Sequence, residues 1–189
     1  MNVIYSGQKD ALTIKEVISA ALPRIIEADP DTVYLDADLM SCIGTNKWGL
    51  THPRAINVGV AEANMAGVAA GLAVAGFKPY IHSFGCFASR RCFDQVFISA
   101  GYAGLHITVL GSDPGVCAAY NGGTHMPFED VGLYSTIPNA TIIDITERHR
   151  HELHAQYLQR ITSRLAKTLT PPQVAEVVME QVMTLLGGH

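Results

Sequence analysis

Residues 54–84 read RAINVGVAEANMAGVAAGLAVAGFKPYIHSF. The run "RAINVGV" has strand character and passes directly into a helix of small apolar residues over 61–76, after which "KPYIHSF" reads as a second strand. A strand–helix–strand unit of this kind joins parallel strands. Its one acidic side chain, Glu62, stands where strand gives way to helix.

The same alternation continues on both sides. Upstream, "ALTIKEVISAALPRIIEA" (11–28) carries apolar side chains at helical spacing, with Pro23 marking a kink or a break between two short helices, and "TVYLDADL" (32–39) follows as a strand. Downstream come a helix over about 86–101, a strand in "HITVLGS", a short helix in "FEDVGLYSTI" and a last strand in "ATIIDIT". This rhythm predicts an α/β fold of three layers, α/β/α, around a mostly parallel sheet. Ligands of such sheets bind outside the carboxyl ends of the strands, which is where Asp36, Asp38, Glu62 and the 112–125 loop fall.

After Thr146 the composition changes to two amphipathic helical patterns, the first rich in Arg, His and Gln and the second opened by Thr170 and Pro171. The expected organisation is a domain over 1–146 and a helical extension over 147–189. With 189 residues the chain has room for one well-buried domain and an appendage. A net charge of −4 gives no electrostatic reason to expect nucleic acid or an anionic membrane. The start of the chain lacks a basic region followed by an apolar run, no uninterrupted apolar stretch is long enough to span a bilayer, and a cytoplasmic location is expected. The cysteines Cys42, Cys86, Cys92 and Cys117 make no C-x-x-C pair and read as reduced, mostly buried thiols.

Four segments, "LDADL", "INVGVAEANMAGVAAGLA", "HSFGCFASRRCFDQVF" and "GSDPGVCAAYNGGTHMPFEDVGLYSTIPNATIIDIT", together resemble the pyrimidine-binding domain of transketolases, in the form where the enzyme is split into two subunits. The resemblance runs from about residue 10 to 146. It implies thiamine diphosphate as cofactor and transfer of a two-carbon ketol unit from a ketose phosphate to an aldose. Glu62 matches the family's acid that exchanges a proton with a ring nitrogen of the cofactor. A dry helix start among Ala and Gly suits that task, because a shared proton is held more strongly away from water. Taken by itself, a Glu in a first helical turn is equally explained by the helix dipole. In the family the helix after Glu62 lies at a dimer interface; burial within its own subunit accounts for the small residues as well.

The resemblance also implies that Phe84 and Phe87 flank the aminopyrimidine ring, with Arg90 standing where many transketolases have a third aromatic residue. Spaced three apart, the two Phe residues and Arg90 share one helical face, though Phe residues at such spacing are otherwise core. Asp38 matches an Asp near the cofactor across the dimer, and is otherwise a turn residue. Ser112, Asp113, Asn121 and His125 match the loop that meets the sugar, with His125 suited to donating a proton. Two departures, near Ile14 for a phosphate-contacting Arg and at Ser112 for a loop His, point toward a modified acceptor such as a branched or sulfonated sugar.

"GSDPG" does not supply the Gly-Asp-Gly arrangement that holds Mg²⁺ in the family. The resemblance therefore implies that the diphosphate and Mg²⁺ are held by a partner, the N-terminal subunit, in a homodimer-based or heterotetrameric assembly. The third domain of transketolase is expected to be absent, and 147–189 reads as an ordinary helical extension packing on the sheet or on a partner, or, by resemblance, as a helical linker of the kind that precedes sensory domains. Two other readings follow from the same residues: a non-catalytic pyrimidine-domain scaffold or signalling fusion, and a related enzyme such as a deoxyxylulose-phosphate synthase or a 2-oxo acid dehydrogenase beta subunit.

Overall fold

Thr13 begins the first helix by a reciprocal pair of bonds. Its hydroxyl accepts from the Glu16 amide at 3.3 Å while the Glu16 carboxylate accepts from the Thr13 amide at 2.7 Å, a capping box. The computed structural model describes residues 13–144; the helical extension expected over 147–189 lies outside them. Helix α1 (Ile14–Ala28) runs through Pro23 without a break. Proline in a helix interior costs about 3 kcal/mol. Leu22 and Ile26, on either side of it and at most 2 % exposed, offset that cost, since burying each such side chain stabilises by roughly 1.5–3 kcal/mol.

Strand β1 (Thr32–Asp36) is buried at every position. The short helices α2 (Met40–Ile43) and α3 (Asn46–Gly49) lead to β2 (Ala55–Asn57), α4 (Glu62–Val74) to β3 (Lys78–Phe84), and α5 (Gly85–Arg90) with α6 (Phe93–Gln95) toward β4 (Thr108–Ser112). Among the described residues the sheet has four strands in the order β2-β1-β3-β4, all parallel, with Asp36 level with Asn57 on one side and His82 on the other. Chain connections leave β1 in one direction and return over it to β3 in the other, so a crevice opens at the carboxyl ends of these two strands.

Alternation along the strands builds two cores. Val33, Leu35 and Ile81 pack with Met65, Ala66 and Ala69 of α4 and with Val96. Tyr34 packs on the opposite face with Leu22, Ile26 and Met40, against Tyr80 and Leu110. Helices therefore cover both faces, giving the expected three layers. In α4 the buried positions Glu62, Met65, Ala66, Ala69 and Ala70 recur at helical spacing. Among the described residues its glycines do not serve close packing: a side chain begun at Gly67 or Gly71 would meet nothing of them within 4 Å. No described residue covers the face that holds them.

Two expectations on secondary structure change. The helix expected over 86–101 is divided into α5, α6 and a π-helical stretch, Val96–Tyr102. Near the division, the Ala88 carbonyl accepts from the Cys92 thiol at 3.0 Å and from the Tyr134 hydroxyl at 2.7 Å. Side chains thus occupy an acceptor that a regular helix gives to backbone. Residues 140–144, expected to begin a strand, are irregular, and Ile143 is 76 % exposed; among the described residues no strand pairs with them. The short helix expected in 128–137 is α7 (Asp130–Tyr134). Among the described residues no helix is long and apolar enough to cross a membrane.

Gly101 sits inside the π-helical stretch, where a methyl group would come 2.4 Å from Ile137 Cγ2. Gly101→Ala is expected to destabilise the domain by about 1–3 kcal/mol through overpacking. Urea unfolding should show a lower midpoint with an unchanged slope.

Candidate active site at the strand ends

Glu62 opens α4 and is only 2 % exposed. A buried carboxylate needs partners, and it has two. The Ser83 hydroxyl donates to Oε1 at 3.0 Å, and Nη1 of Arg91 lies 3.2 Å from Oε1 and 3.0 Å from Oε2. Arg91 also places its guanidinium carbon 3.8 Å from the centre of the Phe87 ring, a cation–π contact. One cation thus ties the buried acid to the aromatic pair.

That pair has a third ring. Phe84 and Phe87 have centroids 6.2 Å apart, and His125 meets Phe84 edge-on at 5.7 Å and Phe87 at 4.9 Å. The loop residue and the two Phe residues therefore come together. Close backbone contact permits this: a side chain at Gly85 would meet the Ser112 carbonyl and Pro127 at 3.2 Å, and one at Gly111 would meet the Gly85 backbone at 3.0 Å. Only glycine lets α5 start so near the end of β4.

Arg90 lies elsewhere than the spacing of three suggests. Its Nε pairs with Glu129 at 3.0 Å and Nη2 donates to the Thr124 carbonyl at 3.3 Å. It braces the loop, and the cation over Phe87 is the next residue. Helical neighbours recur at four as well as three; from Phe87 that step lands on Arg91, a signal present in the sequence and not used.

Asp38 accepts from the Asn57 side chain at 2.8 Å at the end of β1. Asp38 and Asp113 both hold positive φ, 67° and 53°. Such conformations cost a non-glycine residue on the order of 1 kcal/mol and collect at functional sites. Asn121 is exposed in a 3₁₀ turn, Ala119–Asn121, and its carbonyl accepts from Thr124 Oγ1 at 3.3 Å. Ser112 is partly buried and bonds to His82, with Oγ and Nε2 3.1 Å apart. Sequence reasoning gave no role to Ser83, His82 or Arg91. Among the described residues no three His, Cys, Asp or Glu side chains gather as metal ligands.

The family described as transketolase, pyrimidine binding domain, matches residues 10–163. This chain belongs to it. A 6-deoxy-6-sulfo-D-fructose transketolase subunit, SqwH, of Clostridium sp. (strain MSTE9) is 53 % identical over 76 % of this chain and 45 % of its own length. A putative transketolase C-terminal section from Methanocaldococcus jannaschii is 35 % identical over 61 % of the chain and 37 % of that protein. Among solved structures, a split-gene transketolase, described as an inactive beta4 tetramer, superposes with a TM-score of 0.56 at 32 % identity, over 66 % of this chain and 40 % of that one. The chain thus spans less than half the length of these relatives. Within this transketolase domain, Glu62, Phe84, Phe87 and His125 lie on segments that converge at the strand ends.

Two outcomes test the geometry. Removing the cation by Arg91→Ala leaves the Glu62 carboxylate short of a partner and should cost roughly 1–3 kcal/mol, the lower end applying because Arg91 is half exposed. Glu62→Gln in the same background should restore most of that stability in a thermal melt. Burial, with the neighbouring Glu62 charge adding to it, pushes the Cys92 thiol up to about 12. Because the thiolate is the reactive form, Cys92 should resist iodoacetamide at pH 8 in the folded chain and react at the rate of a free thiol in denaturant, as read by mass spectrometry.

Proposed function

We propose that this chain is the pyrimidine-binding subunit of a split, thiamine diphosphate-dependent transketolase, acting with a diphosphate-binding partner. The observation that carries the reading is the buried Glu62 carboxylate held next to an aromatic pair. A ring bearing a basic nitrogen and a flat apolar face is matched by this donor set: an acid for the nitrogen, Phe84 and Phe87 for the face. When bound, the cofactor supplies a nucleophilic carbon that carries the two-carbon unit between sugars.

The chain's own residues supply the rest. Glu62 exchanges a proton with the cofactor's ring nitrogen, and burial keeps water from competing for that proton. Ser83 fixes the carboxylate's orientation through Oε1. Arg91 satisfies it until the ring is bound. Asp38 offsets positive charge on the cofactor. His125, against both Phe rings, donates to the sugar, and Ser112, Asp113 and Asn121 supply further polar contacts to it; Arg90 holds that loop through Glu129. Mg²⁺ and the diphosphate are assigned to the partner subunit.

The Gly67–Gly71 face of α4, uncovered among the described residues, supports assembly with a second copy, as a homodimer or within a heterotetramer, because small residues allow helices to approach closely. The inactive tetramer described for the split-gene relative supports the expectation that this chain turns over nothing by itself. Its donor is a ketose with an anionic end; similarity to the sulfofructose enzyme subunit favours a sulfonate as well as a phosphate there. We place the complex in the cytoplasm.

Mixing the chain with a diphosphate-binding partner, thiamine diphosphate and Mg²⁺ should give ketol transfer. Glu62→Gln should lower that rate on the order of 10²–10⁴-fold, and a full rate in this variant would refute the assigned role.

A further inference from the structure

A second polar cluster lies on the other face of the same strand ends. Along β1, Tyr34 and Asp36 share the face of the smaller core; along β3 so do Tyr80 and His82, and along β4 Leu110 and Ser112. Asp36 and His82 are register partners and both are fully buried. The Nδ1 atom of His82 lies 2.7 Å from Asp36 Oδ2, and Nε2 lies 3.1 Å from Ser112 Oγ. Three adjacent strands thus contribute one carboxylate, one imidazole and one hydroxyl in a row.

We infer that Asp36 and His82 are positioning residues that set the Ser112 hydroxyl as a hydrogen-bond acceptor for a hydroxyl group of the sugar. The inference rests on the function proposed above. Asp36 has nothing to donate: Oδ1 accepts from the Leu39 amide, and Oδ2 accepts from the Tyr34 hydroxyl at 2.5 Å as well as from the histidine. Burial and the Asp36 charge both raise the Tyr34 pKa, which keeps that phenol a donor. The hydrogen of a neutral His82 ring is therefore on Nδ1, and Nε2 is left as an acceptor. Ser112 must then donate its only hydrogen inward. Its oxygen lone pairs are what remains for a ligand.

Ser112 stands where a sugar would meet them. It is the last residue of β4, partly buried, and the register partner of Phe84, whose ring touches His125. An acceptor there discriminates for a substrate hydroxyl and against a second carbonyl or carboxylate oxygen at that place, because two acceptors face to face leave both unpaired. The far end of the relay is anchored by backbone and core, so the hydroxyl is held without a conformational cost at binding.

Nitrogen-15 NMR of the histidine-labelled full chain should show a neutral His82 with its hydrogen on Nδ1, and Ser112→Ala should shift Nε2 and not Nδ1. A hydrogen on Nε2, or an imidazolium at pH 7.5, overturns the relay. In the complex with the diphosphate-binding partner, with fructose 6-phosphate as probe, Ser112→Ala should raise KM roughly three- to tenfold, the loss of one hydrogen bond, with kcat within about twofold. Asp36→Asn presents an amide donor to Nδ1, moves the ring hydrogen to Nε2 and turns Ser112 around, so it should raise KM similarly. The double variant should be no worse than Ser112→Ala; additive losses, or an unchanged KM in Ser112→Ala, overturn the inference. If Asp36→Asn does not fold, Ser112→Ala alone decides. Absence of ketol transfer would count against the proposed function only. Sugar binding is then read at the His82 Nε2 signal of the complex, and failure of that signal to move on adding fructose 6-phosphate overturns the relay.

Discussion

A carboxylate taken out of water must be met by donors, and at the carboxyl edge of this sheet two of them are. Glu62 and Asp36 are each at most 2 % exposed, and bare charges there would cost several kcal/mol apiece. Satisfying them fixes much of what surrounds the crevice. Glu62 requires Ser83 and Arg91, which sets the start of α4 against β3 and the C-terminal end of α5. Asp36 requires His82, the Leu39 amide and Tyr34, which sets β1 against β3 and the turn that follows it. The apolar layers bring the strands together, and the acids decide how their ends are finished.

These partnerships also explain why side chains of ordinary type sit where chemistry is proposed. Phe84 and Phe87 would be core residues in most settings. Here they are partly exposed because α5 starts at Gly85, pressed on Ser112 and Pro127, and the loop that carries His125 closes against them. Arg90 and Arg91, adjacent in sequence, diverge to Glu129 and Glu62. One supports the loop and the other the acid.

Much of the fold was legible because each strand alternates with a helix and each carries its own apolar signal. Lys78–Phe84 was read to the residue, and the unit around Glu62 was recognised from its small-residue helix. The division of the helix after Gly85 was not legible: it depends on Cys92 and Tyr134 meeting Ala88, a contact between segments more than 40 residues apart. Residues 140–144 carry an apolar pattern that reads as a strand, yet no described strand pairs with them. At the candidate site, the residues singled out from the sequence were those with a motif around them. Their partners were not, since Arg91 and His82 become informative only once the helix turn and the strand pleat say which way they face. His82 and Ser83 could have been noticed as two polar residues ending an otherwise apolar strand.

Those two neighbours carry a final consequence. Successive residues of β3 point to opposite sides, so one strand end serves two acids: Ser83 meets Glu62 and His82 meets Asp36. Losing or gaining a single residue upstream in that strand would exchange them, presenting imidazole to the acid at the helix start and a short hydroxyl to the one beneath the sheet. A serine in place of His82 would be too short to bridge Asp36 to Ser112 as the imidazole does. In descendants of this chain the spacing from the start of β3 to its end is therefore locked by two sites at once.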